Sequence, residues 1–222
     1  MRAKAWYGFD SGSGAFHWPL SVGKLAESYG LPEVKVNNAI ASAFTPSCLS
    51  QVRSTDPNGE LRQEPLLSVL RNDGITPHVW TVGDIKWQIT KFTRTGADIY
   101  VPVDHFHCSD AHKEQALIGI INSLSQVSSH FIVVDDKPSN VGFVASIQDE
   151  FRKRSVILQN FHMKLNDPQA DATSFYHWLR EQLTTIAPND FQLILDFDGV
   201  IADTDGVLFG PAVENILKLL TG

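Results

Sequence analysis

The sequence predicts an α/β fold: a mainly parallel sheet with helices on both faces. Three features carry that expectation. Short apolar runs recur from about residue 64 onward, helix-length amphipathic stretches separate them, and polar residues gather directly after the runs. Strands that follow one another through helices favour parallel pairing, and ligands of such sheets bind beyond the carboxyl ends of the strands.

Composition agrees with that class and excludes others. The 222 residues include 13 Phe, 5 Trp and 4 Tyr in a chain that is 43% hydrophobic, enough for a compact domain and a small second lobe. Eighteen Lys and Arg against 25 Asp and Glu give a net charge of −7, which supplies no long-range attraction to nucleic acid or an anionic membrane surface. An anionic substrate would need a bound cation. Cys48 and Cys108 are too few for a disulfide scaffold or a four-thiolate zinc site, and fit a reducing compartment. No run reaches the roughly 18 apolar residues of a membrane helix, and Met1-Arg2-Ala3-Lys4 is followed by polar, glycine-rich sequence and not by an apolar signal core. The expectation is a soluble cytoplasmic protein with neither nucleic acid nor membrane as partner.

Taken in order, residues 1–20 read as loop with aromatic anchors Trp6, Tyr7, Phe16 and Trp18 around Ser11-Gly12-Ser13-Gly14. Ser21 caps a helix through Tyr29 that Gly30 ends, and Pro32 opens a second helix reaching Ala43. Polar turn formers fill 46–63, through Asp56-Pro57-Asn58-Gly59, so that 1–63 reads as a small helical or irregular lobe. The α/β core occupies 64–222. Its helices are expected at 64–72, 85–92, 113–124, 141–151 and 172–183, and its strands at 76–81, 97–101, 131–134, 155–158 and 191–195. A last helix at 211–220, within a segment 206–222 that leads back toward the lobe, closes the chain.

Chemistry concentrates at strand ends. Leu193-Ile194-Leu195-Asp196-Phe197-Asp198-Gly199 sets two carboxylates two residues apart directly after a buried strand. A cation between them would offset their repulsion and polarise a phosphoryl oxygen. The competing reading is an ordinary acidic turn. Asp135-Asp136 follows a second apolar strand, with Ser139 or Asn140 placed to cap the next helix. Thr81 ends a third strand, where a hydroxyl and adjacent amides can hold phosphoryl oxygens. Lys113 opens the helix ahead of Asp135-Asp136 and can neutralise both a phosphate and an aspartyl nucleophile, with Lys86, Lys91 and Lys137 as local rivals.

Together these four segments resemble the haloacid dehalogenase-like hydrolase superfamily, most of whose members are magnesium-dependent phosphatases on a Rossmann-like sheet. That family places Asp-x-Asp after its first core strand, Ser or Thr after the second, Lys on a helix ahead of the fourth, and magnesium-binding acids after the fourth. The resemblance implies Asp196 as nucleophile, Asp198 as general acid and base, Thr81 as phosphate ligand and Lys113 as charge stabiliser. It implies Asp136 as main acidic magnesium ligand beside Asp196 and Asp198, with Asp135 or Asn140 assisting. Here Thr81, Lys113 and Asp135-Asp136 precede Asp196-Phe197-Asp198. Circular permutation accounts for that order, since joining Gly222 to Met1 restores it and sets the lobe where the family often inserts a small helical cap. A rival is a nearly complete domain followed by the first strand and helix of another.

The function implied is hydrolysis of a small phosphomonoester through an aspartyl phosphate, with Mg2+ as cofactor. The alternative is a binding or regulatory protein that keeps the fold with little or no turnover. His105 and His107, near Cys108 and His112, have spacing that permits a transition metal, although partly buried histidines without metal explain them as well. Asp203 and Asp205 read as a surface turn.

Overall fold

A computed structural model of the chain describes residues 18–55, 58–110, 113–163, 168–186 and 190–221. The aromatic anchors Trp6, Tyr7 and Phe16, and the Asp56-Pro57 half of the expected turn, lie outside the described residues.

Two helices come first, α1 (Trp18–Tyr29) and α2 (Glu33–Ala43), followed by an antiparallel hairpin of β1 (Gln51–Thr55) and β2 (Leu61–Pro65). The core then runs α3 (Leu66–Asn72), β3 (His78–Val82), α4 (Ile85–Arg94), β4 (Phe106–Ser109), α5 (Lys113–Leu124), β5 (His130–Asp135), α6 (Pro138–Arg152), β6 (Ile157–His162), α7 (Pro168–Gln182) and β7 (Phe191–Asp196). Two further helices follow, α8 (Thr204–Phe209) and α9 (Pro211–Thr221).

The core sheet has five strands in the order β4-β3-β7-β5-β6, and every neighbouring pair is parallel. Last in sequence among the strands, β7 lies at the centre, in register with β3 through Trp80 and Asp196 and with β5 through Val134 and Leu195. Alternation along the strands feeds two apolar layers. Val79, Ile132, Val134, Leu193 and Leu195 pack with α3, Phe92 of α4 and Phe175 and Leu179 of α7. Trp80, Phe131, Val133 and Ile194 pack with Leu117 and Ile121 of α5 and Val144 and Phe151 of α6. Helices therefore cover both faces, as continuous apolar strands require.

A third cluster joins α1, α2, α8 and α9 around Trp87 of α4, through Leu25, Ile40, Phe44, Leu208, Val213 and Leu217. The connection between this cluster and the sheet is stitched twice. Ser50 N–H donates to the Ile201 carbonyl (2.8 Å) and Asp203 N–H to the Cys48 carbonyl (2.9 Å), beside a bridge between Leu49 and Ala202. No helix among the described residues is long and apolar enough to cross a membrane.

Several elements differ from expectation for identifiable reasons. No strand forms at 97–101: Ala97 and Val101 are buried while Asp98 and Ile99 are exposed, a helical spacing matched by a 3-10 turn at Ala97–Ile99 and a hydrogen bond from the Val101 N–H to the Ala97 carbonyl (3.1 Å). The edge strand is β4 instead, nine residues later and only partly buried. The polar stretch expected to be a connection forms the β1–β2 hairpin, so the following helix begins at Leu66. Ser155, at φ +60°, stays in a turn and shifts β6 to Ile157–His162.

At the start of β3, His78 is buried against two other imidazoles, stacked on His105 (ring centroids 3.9 Å apart) and bonded through Nδ1 to Nε2 of His107 (3.0 Å). Burial, then His105 and His107, lower its pKa to about 4, against smaller opposing effects of Gln192 and Asp104. The unfolded chain therefore takes up a proton near pH 6.5 that the folded chain refuses, and stability falls as pH drops from 6.5 toward 4. His78→Gln is expected to flatten the pH dependence in that window by up to about 3 kcal/mol relative to wild type, measured by urea denaturation; parallel curves for the two proteins would show that His78 does not couple folding to protonation.

Candidate functional site

The carboxyl ends of β5 and β7 each finish on a buried acid. Asp135 is 1% exposed and Asp196 2%, and alternation turns both toward the α5 face, because they continue the rows of Val133 and Ile194. Lys113, first residue of α5, reaches between them: Nζ lies 2.7 Å from Asp135 Oδ2 and 2.6 Å from Asp196 Oδ2. Its ammonium also sits 4.3 Å from the ring centre of Trp80, whose Nε1 donates to the Lys113 carbonyl (2.8 Å). Burial disfavours the charge on Lys113, but Asp196 and Asp135 outweigh it and raise the pKa.

The remaining capacity of Asp135 is also taken. Asn140 Nδ2 donates to Oδ2 (2.9 Å) and the Lys137 amide to Oδ1 (2.8 Å). Asp196 Oδ1 accepts from the Phe197 amide (2.7 Å). Burial pushes the Asp196 carboxyl up to about 7, Lys113 opposing it and the charges of Asp135 and Asp198 adding to it.

Asp136 is different. Its Oδ1 is buried with no hydrogen-bond partner, and burial, followed by the charge of Asp135, raises its pKa to about 6. Oxygens of Asp135, Asp136 and Asp196 lie within 4.8 Å of one another. Three carboxylates against the single ammonium of Lys113 leave two negative charges when all are ionised. An all-oxygen donor set with an unpartnered buried oxygen fits a hard divalent cation, which would supply the missing partner. The turn after Asp196 makes room for the Asp136 carboxylate: Gly199 is at φ +82°, and a Cβ there would lie 2.6 Å from Asp136 Oδ2.

Asp198 belongs to a separate cluster. Its carboxylate is paired with Lys91, which is 2% exposed, accepts from Thr204 Oγ1 on the same oxygen, and has Gln88 Nε2 3.4 Å from the other. Burial opposes its ionisation, but Lys91 and then Thr204 hold its pKa below the usual carboxylate range. Asp198 therefore stands outside the trio of converging carboxylates. Thr81, 1% exposed, follows Trp80 at the same end of the sheet, without a hydrogen bond to the acids.

Three partners escaped the sequence reading. Nothing in the sequence singles out Trp80 or Gln88 as partners of the acids. Lys91 was named only as a rival to Lys113, although it shares a helical face with the apolar Trp87 and Phe92 and Gln88, an odd place for a solvated lysine. Asp203, expected in a surface turn, caps α8 by accepting from the Gly206 amide (2.8 Å), and the adjacent Thr204 is buried. His105 and His107 contact His78 and form no metal-competent group among the described residues, while His112 lies outside them. Burial pushes the Cys108 thiol up to about 11, which disfavours a nucleophilic thiolate.

Lys113→Met leaves two buried carboxylates without their shared cation, and a loss of about 3–5 kcal/mol in urea denaturation is expected; a loss under about 1 kcal/mol would mean that the acids are neutral without it. Gly199→Ala adds a methyl where Asp136 sits and strains a positive φ, so a cost of about 1–2 kcal/mol is expected, together with at least tenfold weaker Mn2+ binding by calorimetry. Unchanged Mn2+ affinity would remove Asp136 from the cation site. The chain matches no protein-family model, no curated protein and no solved structure.

Proposed function

We propose that the chain is a magnesium-dependent phosphomonoester hydrolase of the haloacid dehalogenase-like superfamily, in circularly permuted order, acting on a small phosphorylated metabolite through an aspartyl phosphate. The observation that carries this reading is the juxtaposition at the centre of the sheet: Asp196 ends the middle strand, Lys113 touches it, and the unpartnered oxygen of Asp136 belongs to the same group of carboxylates. Counting strands from β7 makes it the first, β3 the second, β4 the third, β5 the fourth and β6 the fifth. The first strand is then flanked by the second, which carries Thr81, and the fourth, which carries Asp135 and Asp136. That arrangement lets residues distant in sequence share one phosphoryl group. The lobe, 1–63 with 206–222, then falls between the first and second motifs as a cap, consistent with α9 packing on α1 and α2.

In this reading Asp198 first takes up a proton against the pull of Lys91; Asp196 Oδ1 or Oδ2 then attacks phosphorus as the bond to the leaving oxygen breaks, and Asp198 delivers that proton to the leaving oxygen. Water then attacks the aspartyl phosphate, its proton passes to Asp198, and the Asp196 carboxylate leaves with free phosphate as the other product. Lys113 balances charge on Asp196 and on the transferring group, and the Thr81 hydroxyl donates to a phosphoryl oxygen. Magnesium, held by Asp136 and Asp196 with Asp135 behind them, would supply charge neutralisation of the phosphoryl oxygens and deprotonation of Asp196.

On a panel of alkyl and aryl phosphomonoesters with Mg2+, turnover is expected that EDTA abolishes. Asp196→Asn should lose it by at least about 10³-fold with the fold intact, and Asp198→Asn should slow phosphoryl transfer or phosphoenzyme hydrolysis by about 10²–10⁴-fold. A folded wild-type chain that binds Mg2+ and hydrolyses nothing on the panel would replace this reading with that of a binding or regulatory protein.

A further inference from the structure

The two aspartates of Asp196-Phe197-Asp198 are served by different lysines. Lys113 contacts Asp135 and Asp196 from α5, on one face of the sheet. Lys91 contacts Asp198 from α4, whose Phe92 packs in the layer of the other face. An ammonium buried to 2% exposure is tolerated only with a fixed counter-charge, and Lys91 has the Asp198 carboxylate in that place. It also lies 5.4 Å from the ring centre of Phe197, the residue between the two acids.

The surroundings restrict that carboxylate further. Thr204, at the start of α8, donates to the oxygen that Lys91 engages. Gln88, one turn before Lys91 and 4% exposed, has Nε2 between the Val82 carbonyl (2.8 Å) and the other Asp198 oxygen (3.4 Å), while its Oε1 is buried without a partner. The Asp198 backbone is bridged to Ala202. The side chain is thus held from a core helix and from the connection to the lobe, and the charged contact is Lys91.

Resting on the hydrolase reading above, we propose that Lys91 is a positioning residue: it fixes the direction of the Asp198 carboxylate, and through it the transfer of the proton to and from the leaving oxygen, without holding the phosphoryl group. A residue with that role affects protonation of the leaving group more than binding. Alkyl phosphates, whose leaving alkoxide must be protonated, depend on it strongly. p-Nitrophenyl phosphate, whose leaving phenolate departs unprotonated, depends on it little in the first step. A residue needed only for stability would affect both substrates alike.

The test compares wild type, Lys91→Met, Lys91→Arg, Asp198→Asn and the double variant K91M/D198N on an alkyl phosphate and on p-nitrophenyl phosphate, with Mg2+. For the alkyl substrate, Lys91→Met is expected to lower kcat about 10–100-fold with KM within about threefold, lost orientation outweighing the easier protonation of Asp198 that removal of the ammonium brings, and Lys91→Arg to recover part of the loss. The effect on phosphoryl transfer from p-nitrophenyl phosphate, read as the phosphoenzyme burst, should be at least tenfold smaller. The double variant should be no slower than Asp198→Asn, because Lys91 acts only through Asp198. Should Lys91→Met fail to fold, the neutral Met–Asn pair of the double variant still gives the comparison with Asp198→Asn. Equal losses on both substrates, a rise in KM alone, or a further loss in the double variant would overturn the role of Lys91 while leaving the hydrolase in place. A wild-type chain inactive on both substrates would overturn the hydrolase reading and this inference with it.

Discussion

The contact on which the acidic end of the sheet depends is the bridge from Lys113 to Asp135 and Asp196. Two buried carboxylates at the ends of neighbouring strands repel each other in a low-dielectric setting, and an intervening ammonium makes their closeness tolerable. Trp80 contributes twice, with its ring beneath the ammonium and its indole N–H on the Lys113 carbonyl, so that the start of α5 is held where the charge is needed. The bridge rests on β7 pairing with β5, which sets their terminal acids side by side, while β3 on the other side of β7 supplies Trp80 against the ammonium.

Once that bridge is in place, the neighbouring acid has a different fate. Asp135 is saturated by Lys113, Asn140 and the Lys137 amide, whereas Asp136, one residue on, has a buried oxygen with nothing to accept from. Asp136 lies in the bend just past β5, and the glycine at 199 leaves the volume that its carboxylate occupies. The two carboxylates therefore differ in role: Asp135 is bonded within the strand end, and Asp136 keeps an oxygen with which it could meet a cation.

Much of this was legible in the residues. Apolar runs at 131–134 and 193–195, followed at once by acids, point both to the two-faced burial and to the end of the sheet where polar groups collect. The helix at 113–124 was legible from its amphipathic pattern, and α5 spans the same described residues. Less legible were features whose cause lies in tertiary contact. At 97–101, apolar residues were read as a strand although their four-residue spacing follows a helical turn. The β1–β2 hairpin, with most of its residues only partly buried, has no period strong enough to separate it from a loop. Among the site residues, the rank of Asp136 over Asp135 as a cation ligand came from the resemblance. The observation that supports it, an orphaned oxygen beside a fully bonded neighbour, has no trace in sequence. Lys91 had a trace, a cation on a buried helical face, but the counter-charge that explains it lies 107 residues away.

The neighbours of Asp198 come from widely separated parts of the chain. Asp198 is held by α4 and by the start of α8, and the segment that contains it is tied to residues 48–50 by backbone hydrogen bonds. None of these contacts depends on which partner is synthesised first; each depends on the middle strand ending at the level where β3 and β5 end. Under the proposed permuted order, a new chain break is admissible wherever it leaves those neighbours in place. The lobe cluster around Trp87, which draws on helices from both the first and last parts of the chain, meets that condition by packing instead of by connection. The physical constraint is therefore spatial: three strand ends abreast, one lysine shared by the outer acid and the central one, and a second lysine reserved for the aspartate two residues on.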